Sequence, residues 1–331
     1  MDRRHFLLAG LAAAAPAPAF AQLASSAQSF AAAAAFSAAR GGAALVIMRN
    51  GVPLLEDYPD GAGPHARRAI GQATQSFIPA LVGAMVSDRL MRLDEPVSQT
   101  FPEWTDNPWR SAVTLRMLLD GTAALTPSRP VTGIEARMLQ PTAEPGRLFT
   151  DDPAALVLFL EAARSKLASA GRPADPAAYI AARVLAPIGC APVEWRRTEI
   201  GEANMLDGAS LSPRAWAAWG ELMRRVGVWR ARELIAGAAL RDACRGSFLQ
   251  PRYGFGLWLT WPAPQDAPGF PRSDLWSSRA RPPNDLVMAA SLRGDRLFVL
   301  PSQRLVVARQ SRDAGNSWSD AEFIRLLLNA A

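Results

Sequence analysis

Apolar positions recur along this chain with two different periods, and the changes of period divide it into regions. From about Thr74 to Ala239 they return every three or four residues, in Phe77–Leu90, Ala154–Leu167, Pro176–Leu185 and Pro213–Val226, the spacing that turns one helical face toward a core. Proline-bearing loops separate these stretches. Strand-like runs lie nearer the two ends. Ala44–Met48 and Val52–Leu55 flank Asn50-Gly51, a pair that tolerates the positive φ angles of a two-residue hairpin turn. Tyr253–Trp261, Leu286–Leu292, Arg296–Leu300 and Leu305–Arg309 also read as strands, and Trp318–Leu328 reads as a closing amphipathic helix. Ala24–Arg40 is alanine-rich, carries Phe30 and Phe36, and runs into Gly41-Gly42, a helix with a glycine stop.

Strands at both ends with helices between them predict an α+β fold. The simplest burial of all these faces is an antiparallel sheet built from N- and C-terminal strands, flanked by helices, with a helical region inserted. The expected sheet lobe takes about residues 22–70 and 245–331, and the expected helical lobe about 71–244. With 49% hydrophobic residues, the chain can bury a large core.

The N-terminus predicts export. Arg3-Arg4-His5-Phe6-Leu7-Leu8 precedes an apolar stretch, Ala9–Ala15, that is too short to span a bilayer, and Ala19-Phe20-Ala21 offers a small-x-small cleavage site before Gln22. Residues 1–21 therefore read as a signal peptide and residues 22–331 as the mature domain, placed in the periplasm. Paired arginines followed by Phe-Leu resemble a twin-arginine signal; an ordinary secretory signal carrying two arginines is the other reading. Removing Asp2, Arg3 and Arg4 lowers the formal charge from +6 to +5. The basic residues are scattered, with no aromatic-basic stripe, so no nucleic-acid partner is expected. No integral membrane segment is expected after signal removal. Cys190 and Cys244 would meet an oxidising compartment, and both a disulfide and a pair of free thiols stay open.

A series of short segments carries a family resemblance. Ile70-Gly71-Gln72-Ala73-Thr74-Gln75-Ser76-Phe77 leads into Leu81-Val82-Gly83, Leu93-Asp94-Glu95-Pro96-Val97 and Phe101-Pro102-Glu103-Trp104. Thr114-Leu115-Arg116-Met117-Leu118-Leu119 precedes an altered turn, Thr122-Ala123-Ala124-Leu125. Then come Glu144–Phe149, Leu185–Gly189, Asp207–Arg214, Tyr253–Trp258 and Gly294–Pro301. In order and spacing these segments resemble the serine β-lactamase and penicillin-binding-protein superfamily over nearly the whole mature chain. The branch they look most like holds class C β-lactamases, periplasmic esterases and 6-aminohexanoate-dimer hydrolases. The resemblance implies a β-lactamase/transpeptidase-like fold.

It also implies an acyl-transfer centre in which a serine and a lysine one helical turn later form an acyl-enzyme. At the matching positions stand Gln72 and Gln75, whose amides have no proton to surrender near neutral pH. Lys166 is the only lysine in the sequence and Ala163 stands three residues before it, so no Ser-x-x-Lys exists elsewhere. Arginine stays protonated and cannot replace it. The family's Tyr-x-Asn matches Asp151-Asp152-Pro153, which puts Asp151 and Pro153 in the functional places. Its Lys- or His-x-Gly falls near Ser291-Leu292-Arg293-Gly294, with neither lysine nor histidine between Ser291 and Gly294. All three motifs have lost their working side chains.

Other chemistries find little support. His65 is the one histidine of the mature chain and reads as a surface residue; no Gly-x-Ser-x-Gly elbow is present. Two cysteines and one histidine make no zinc cluster, and Gly254-Phe255-Gly256 lacks the third glycine of a dinucleotide loop, so neither metal nor cofactor is expected. Asp151-Asp152 reads either as an acid/base pair or as a helix cap ahead of Pro153. Thr74 or Ser76 as a relocated nucleophile has no base one turn away. The ten tryptophans read mostly as core and loop packing.

The expectation is an exported, β-lactamase-related pseudoenzyme. Gln72, Gln75, Asp151 and Asp152 would bind a small amide-, ester- or peptide-like ligand, or the domain would engage another periplasmic protein. The alternative is an active hydrolase of esters or amides that uses a non-family nucleophile such as Asp151 or a neighbouring hydroxyl.

Overall fold

The runs around Asn50-Gly51 form the hairpin that their pattern demands: β1 (Gly42–Arg49) and β2 (Val52–Asp57) meet at Asn50 and Gly51, with φ angles of 52° and 81°. The protein is described by a computed structural model over residues 30–261, 263–264, 267–277, 281–312 and 317–329. The signal peptide expected at 1–21 and the predicted helix start at Ala24 lie outside the described residues. The helix itself is α1 (Ala31–Ala38).

Ten further strands are β3 (Arg68–Ala69), β4 (Glu194–Trp195), β5 (Ala209–Leu211), β6 (Val228–Trp229), β7 (Arg232–Glu233), β8 (Tyr253–Gly254), β9 (Leu257–Leu259), β10 (Val287–Ala290), β11 (Arg296–Leu300) and β12 (Leu305–Ser311). Seven of the strands make one antiparallel sheet in the order β2-β1-β12-β11-β10-β9-β8, so the N-terminal hairpin closes onto the last strand as expected. The longer helices after α1 are α2 (Ile78–Ser87), α3 (Pro153–Ser169), α4 (Pro213–Arg224) and α5 (Asp320–Asn329).

Alternation along the central strands sorts side chains into two cores. Leu45, Ile47, Phe298, Leu300, Leu305 and Val307 join α1 and α5 on one face. Val46, Met48, Leu297, Val299, Val306 and Ala308 point to the other, where α4 and the helical lobe lie. With both faces covered, the strands read as unbroken apolar runs.

Three details differ from the sequence expectation. Tyr253–Trp261 is not one strand, because Phe255 and Gly256 form a turn with φ angles of 52° and 84° between β8 and β9. Phe255 is fully buried, so an apolar residue hides a turn from any pattern based on polarity. Pro176–Leu185 is helical only to Ile180, then widens into a π turn over Ala181–Leu185. The middle of the chain also contains strands: β3, β5 and β4 form a small sheet, and β6 pairs with β7, all too short to display a period. Cys190 and Cys244 are free thiols, and burial pushes the Cys244 thiol up to about 12.

Candidate functional site

The segment that matches the family's first motif is a 3-10 turn, Gly71–Phe77, leading into α2. Three residues per turn put Gln72 and Gln75 one above the other. Gln72 is exposed, and its Oε1 accepts the Leu292 N–H at 3.3 Å. Gln75 is half-buried against the β8–β9 turn, where a Cβ added at Gly256 would come within 2.8 Å of the Gln75 Cβ. Gly256 therefore serves both its positive φ and this close approach.

The hydroxyls between them are committed. Thr74 is buried; its Oγ1 donates to the Gly71 carbonyl at 2.6 Å and accepts the Ala209 N–H at 3.0 Å. Ser76 is buried too, its Oγ accepting the Trp216 indole N–H at 3.4 Å and its carbonyl that of Trp219 at 3.0 Å. Both hydroxyls thus serve packing rather than the nucleophile role weighed for them. Lys166 lies toward the far end of α3 and is paired with Glu95 at 2.7 Å.

Asp152 caps α3, its Oδ1 accepting the Ala154 N–H at 2.8 Å, and Pro153 takes the first helical position. This is the capping role. Asp151 projects at the surface with its carboxyl raised above the ordinary range, first by the protein packed around it and then by the Asp152 charge. Tyr253 is buried near it: burial raises the phenol, the Asp151 and Asp120 charges raise it further, and the Gly256 N–H donates to the phenol oxygen. Phe149 packs on the same ring with centroids 5.5 Å apart. Asp120 closes the group. Burial pushes its carboxyl up to about 6 against the opposing charge of Arg116.

Sequence reasoning named Asp151 but not Tyr253 or Asp120. The one available signal was an acidic residue directly after the apolar Leu118-Leu119 pair of a helix.

Ser291 and Gly294 lie in the turn between β10 and β11. Ser291 is buried beside Gly71, its Oγ donating to Asp295 Oδ2 at 2.6 Å and accepting the Arg293 and Asp295 N–H groups, both at 3.2 Å. Gly294 has φ 95°, and Arg293 crosses to the Ala69 carbonyl at 2.7 Å. The Arg293 guanidinium therefore ties the turn to the strand before the 3-10 segment, while the Asp295 carboxylate bonds within the turn. His65 is exposed, as expected.

Gln72, Gln75 and Ser291 thus come together, with Tyr253 and Asp151 beside them, whereas Asp152 and Pro153 serve α3. Among the described residues no cluster of three or more histidines, cysteines or carboxylates is arranged to hold a metal ion. No helix among them is long and apolar enough to cross a membrane. Two cavities stand out, one of about 180 Å³ and one of about 880 Å³, and neither is lined by Gln72, Gln75 or Asp151.

The fold has clear relatives. A 6-aminohexanoate-dimer hydrolase proposed in Bacillus anthracis superposes with TM-score 0.66 at 14% identity over 88% of this chain and 78% of that one. A penicillin-binding-protein homologue from Caulobacter crescentus gives TM-score 0.66 at 15% identity over 93% and 96%, and a family VIII carboxylesterase gives TM-score 0.66 at 15% identity over 93% and 96%. At these identities the likeness is one of fold. No curated protein matches in sequence. The family model described as Beta-lactamase matches residues 27–322, nearly everything from before α1 into α5, and the chain therefore belongs to the Beta-lactamase family.

Proposed function

We propose that this protein is a non-acylating member of its family, a pseudoenzyme that works after export to the periplasm by holding a small amide-, ester- or peptide-like ligand at Gln72 and Gln75. One observation carries the reading. Thr74, Ser76 and Ser291, the hydroxyls nearest the two glutamines, are already engaged, and the single lysine is spent on Glu95. Acyl transfer needs an oxygen that can lose its proton and a base to take it, and neither is free there. Amides still offer two donors and an acceptor each, enough to grip a carbonyl or amide without reacting. Export is supported by the twin-arginine-like start and the Ala19-Phe20-Ala21 site.

The test is intact-mass analysis after incubation with a fluorescent penicillin and with a fluorophosphonate. The expected result is no adduct and no turnover of p-nitrophenyl esters, with a rise in Tm when benzylpenicillin is present in excess. A probe attached at one defined residue overturns the proposal. The rival reading, an active hydrolase working through Asp151, draws on the raised carboxyl beside Tyr253. It requires ester turnover that Asp151→Asn abolishes.

A further inference from the structure

The larger cavity, about 880 Å³, belongs to the helical lobe, between the Val157–Arg164 stretch of α3 and the 196–206 loop. Its size suits a small organic ligand. The charges that line it are not balanced in the same way throughout. At the open mouth the cations are matched, Arg129 with Glu135 at 2.6 Å and Arg196 with Asp207. Deeper in, the single guanidinium of Arg164 stands between two carboxylates, Glu161 and Glu202.

Glu202 takes the direct contact from Arg164 Nη1. Glu161, only 9% exposed, meets Arg164 Nε at 3.2 Å, yet that nitrogen has no aligned acceptor, so charge attraction is present without the hydrogen bond. Among the described residues the Glu161 carboxylate accepts no hydrogen bond, and it lines the cavity with its charge only partly answered by Arg164. Asp175 adds to the surplus. Its Oδ1 caps a short helix, while Oδ2, among the described residues, has only Arg197, 3.9 Å away. The rest of the wall is apolar, with Val157, Leu160, Met205 and Leu206, and Ile200 half exposed at the edge.

We infer that this cavity binds an alkylammonium ligand, its cationic head against Glu161 and Glu202 and its hydrocarbon chain along Val157, Leu160 and Met205. An ammonium supplies three N–H donors and one compact positive charge, which answers both the missing donor at Glu161 and the surplus of carboxylates over the one interior guanidinium. A carboxylate ligand of the same length would meet that surplus head-on. The inference stands apart from the Gln72 and Gln75 reading, since the cavity shares no residue with it.

The experiment is calorimetric titration of the full-length mature protein with n-hexylamine at pH 7, alongside hexanoate and hexanol. Hexylamine is expected to bind at least about tenfold more tightly than either, because hydrogen bonds to a charged group add roughly that factor to the shared apolar contribution. Glu202→Gln and Glu161→Gln should each weaken hexylamine about tenfold while leaving hexanol unchanged. Arg197→Gln, at a side chain 60% exposed, should tighten hexylamine about twofold by removing an opposing cation without disturbing packing. Hexanoate binding as well as hexylamine, or indifference of hexylamine to all three substitutions, overturns the assignment. If the two glutamate variants unfold, the sign of the Arg197→Gln effect alone decides.

Discussion

The β10–β11 turn has polar groups on two sides, and the two sides treat them differently. Behind it, four charged side chains are buried: Asp295, Arg296, Arg309 and Asp320. Arg296 binds both oxygens of Asp320 at 2.8 and 3.1 Å and donates to the Ser291 and Asp295 carbonyls at 2.8 and 3.0 Å. Arg309 reaches Ser37 Oγ at 3.0 Å and the carbonyls of Arg40 and Gly294, with its guanidinium 3.9 Å from the Trp318 ring centre. Burial lowers the Arg309 pKa to about 10, helped by the Arg296 charge and opposed by Asp295 and Asp320.

In front of the turn, around Gln72 and Gln75, no such network exists among the described residues. The Thr74 hydroxyl there is bonded to backbone and that of Ser76 to the Trp216 indole, and Asp120 and Asp151 sit with raised carboxyls. Polar groups are thus densely bonded where they join α1, the turn and α5, and sparsely bonded around the two glutamines. A fold can replace an exposed or neutral polar group at little cost. It cannot lose a buried ion pair in the same way.

The sharpest way to break this contrast is to cut the rear network. Asp320→Ala leaves Arg296 charged and unpaired in the core and should cost about 3–5 kcal/mol of stability in urea unfolding. A loss under 1 kcal/mol would mean that the rear network is as dispensable as the front.

Asp120 sharpens the comparison from the other side. Its carboxyl titrates near 6 in the folded protein, above the roughly 3.9 of an unfolded aspartate, so its contribution is fully present below about pH 4 and is lost as pH rises through 6. Asp120→Asn should therefore stabilise the protein by about 2–3 kcal/mol at pH 7.5 and by almost nothing at pH 4. Equal effects at both pH values, followed by thermal melting, would count against a buried unpaired carboxyl.

The smallest expected effect is at the second motif. Asp152→Ala removes the α3 cap and should cost about 1 kcal/mol, whereas Asp151→Asn should change stability by less than about 0.5 kcal/mol. Reversal of that order in chemical unfolding would return the pair to the acid/base reading.

The fold was legible wherever a period ran long enough to show. β1, β11, β12, α2, α3 and α4 stand close to where apolar spacing put them, because each buries a continuous face, whereas β2, with no fully buried residue, was placed by the Asn50-Gly51 turn. The β8–β9 turn was not legible, since Phe255 is both a turn residue and a core residue. Two-residue strands such as β3 and β4 exist only through their partners. In the candidate site, Gln72 and Gln75 were singled out through the family resemblance, while Tyr253 and Asp120 carry no local mark of the cluster they join.

What the amino-acid sequence determined by itself is chemical inventory: one lysine, no Ser-x-x-Lys, and two glutamines at the positions that resemble the family's first motif. Such a conclusion needs no coordinates, because a functional group absent from the chain cannot be created by folding it. Only the tertiary structure decided which of the remaining polar groups meet. Asp151 stands beside Tyr253, a hundred residues later, and Arg164 lies between Glu161 and Glu202, because helices and hairpins pack on apolar faces that carry no record of the polar groups opposite.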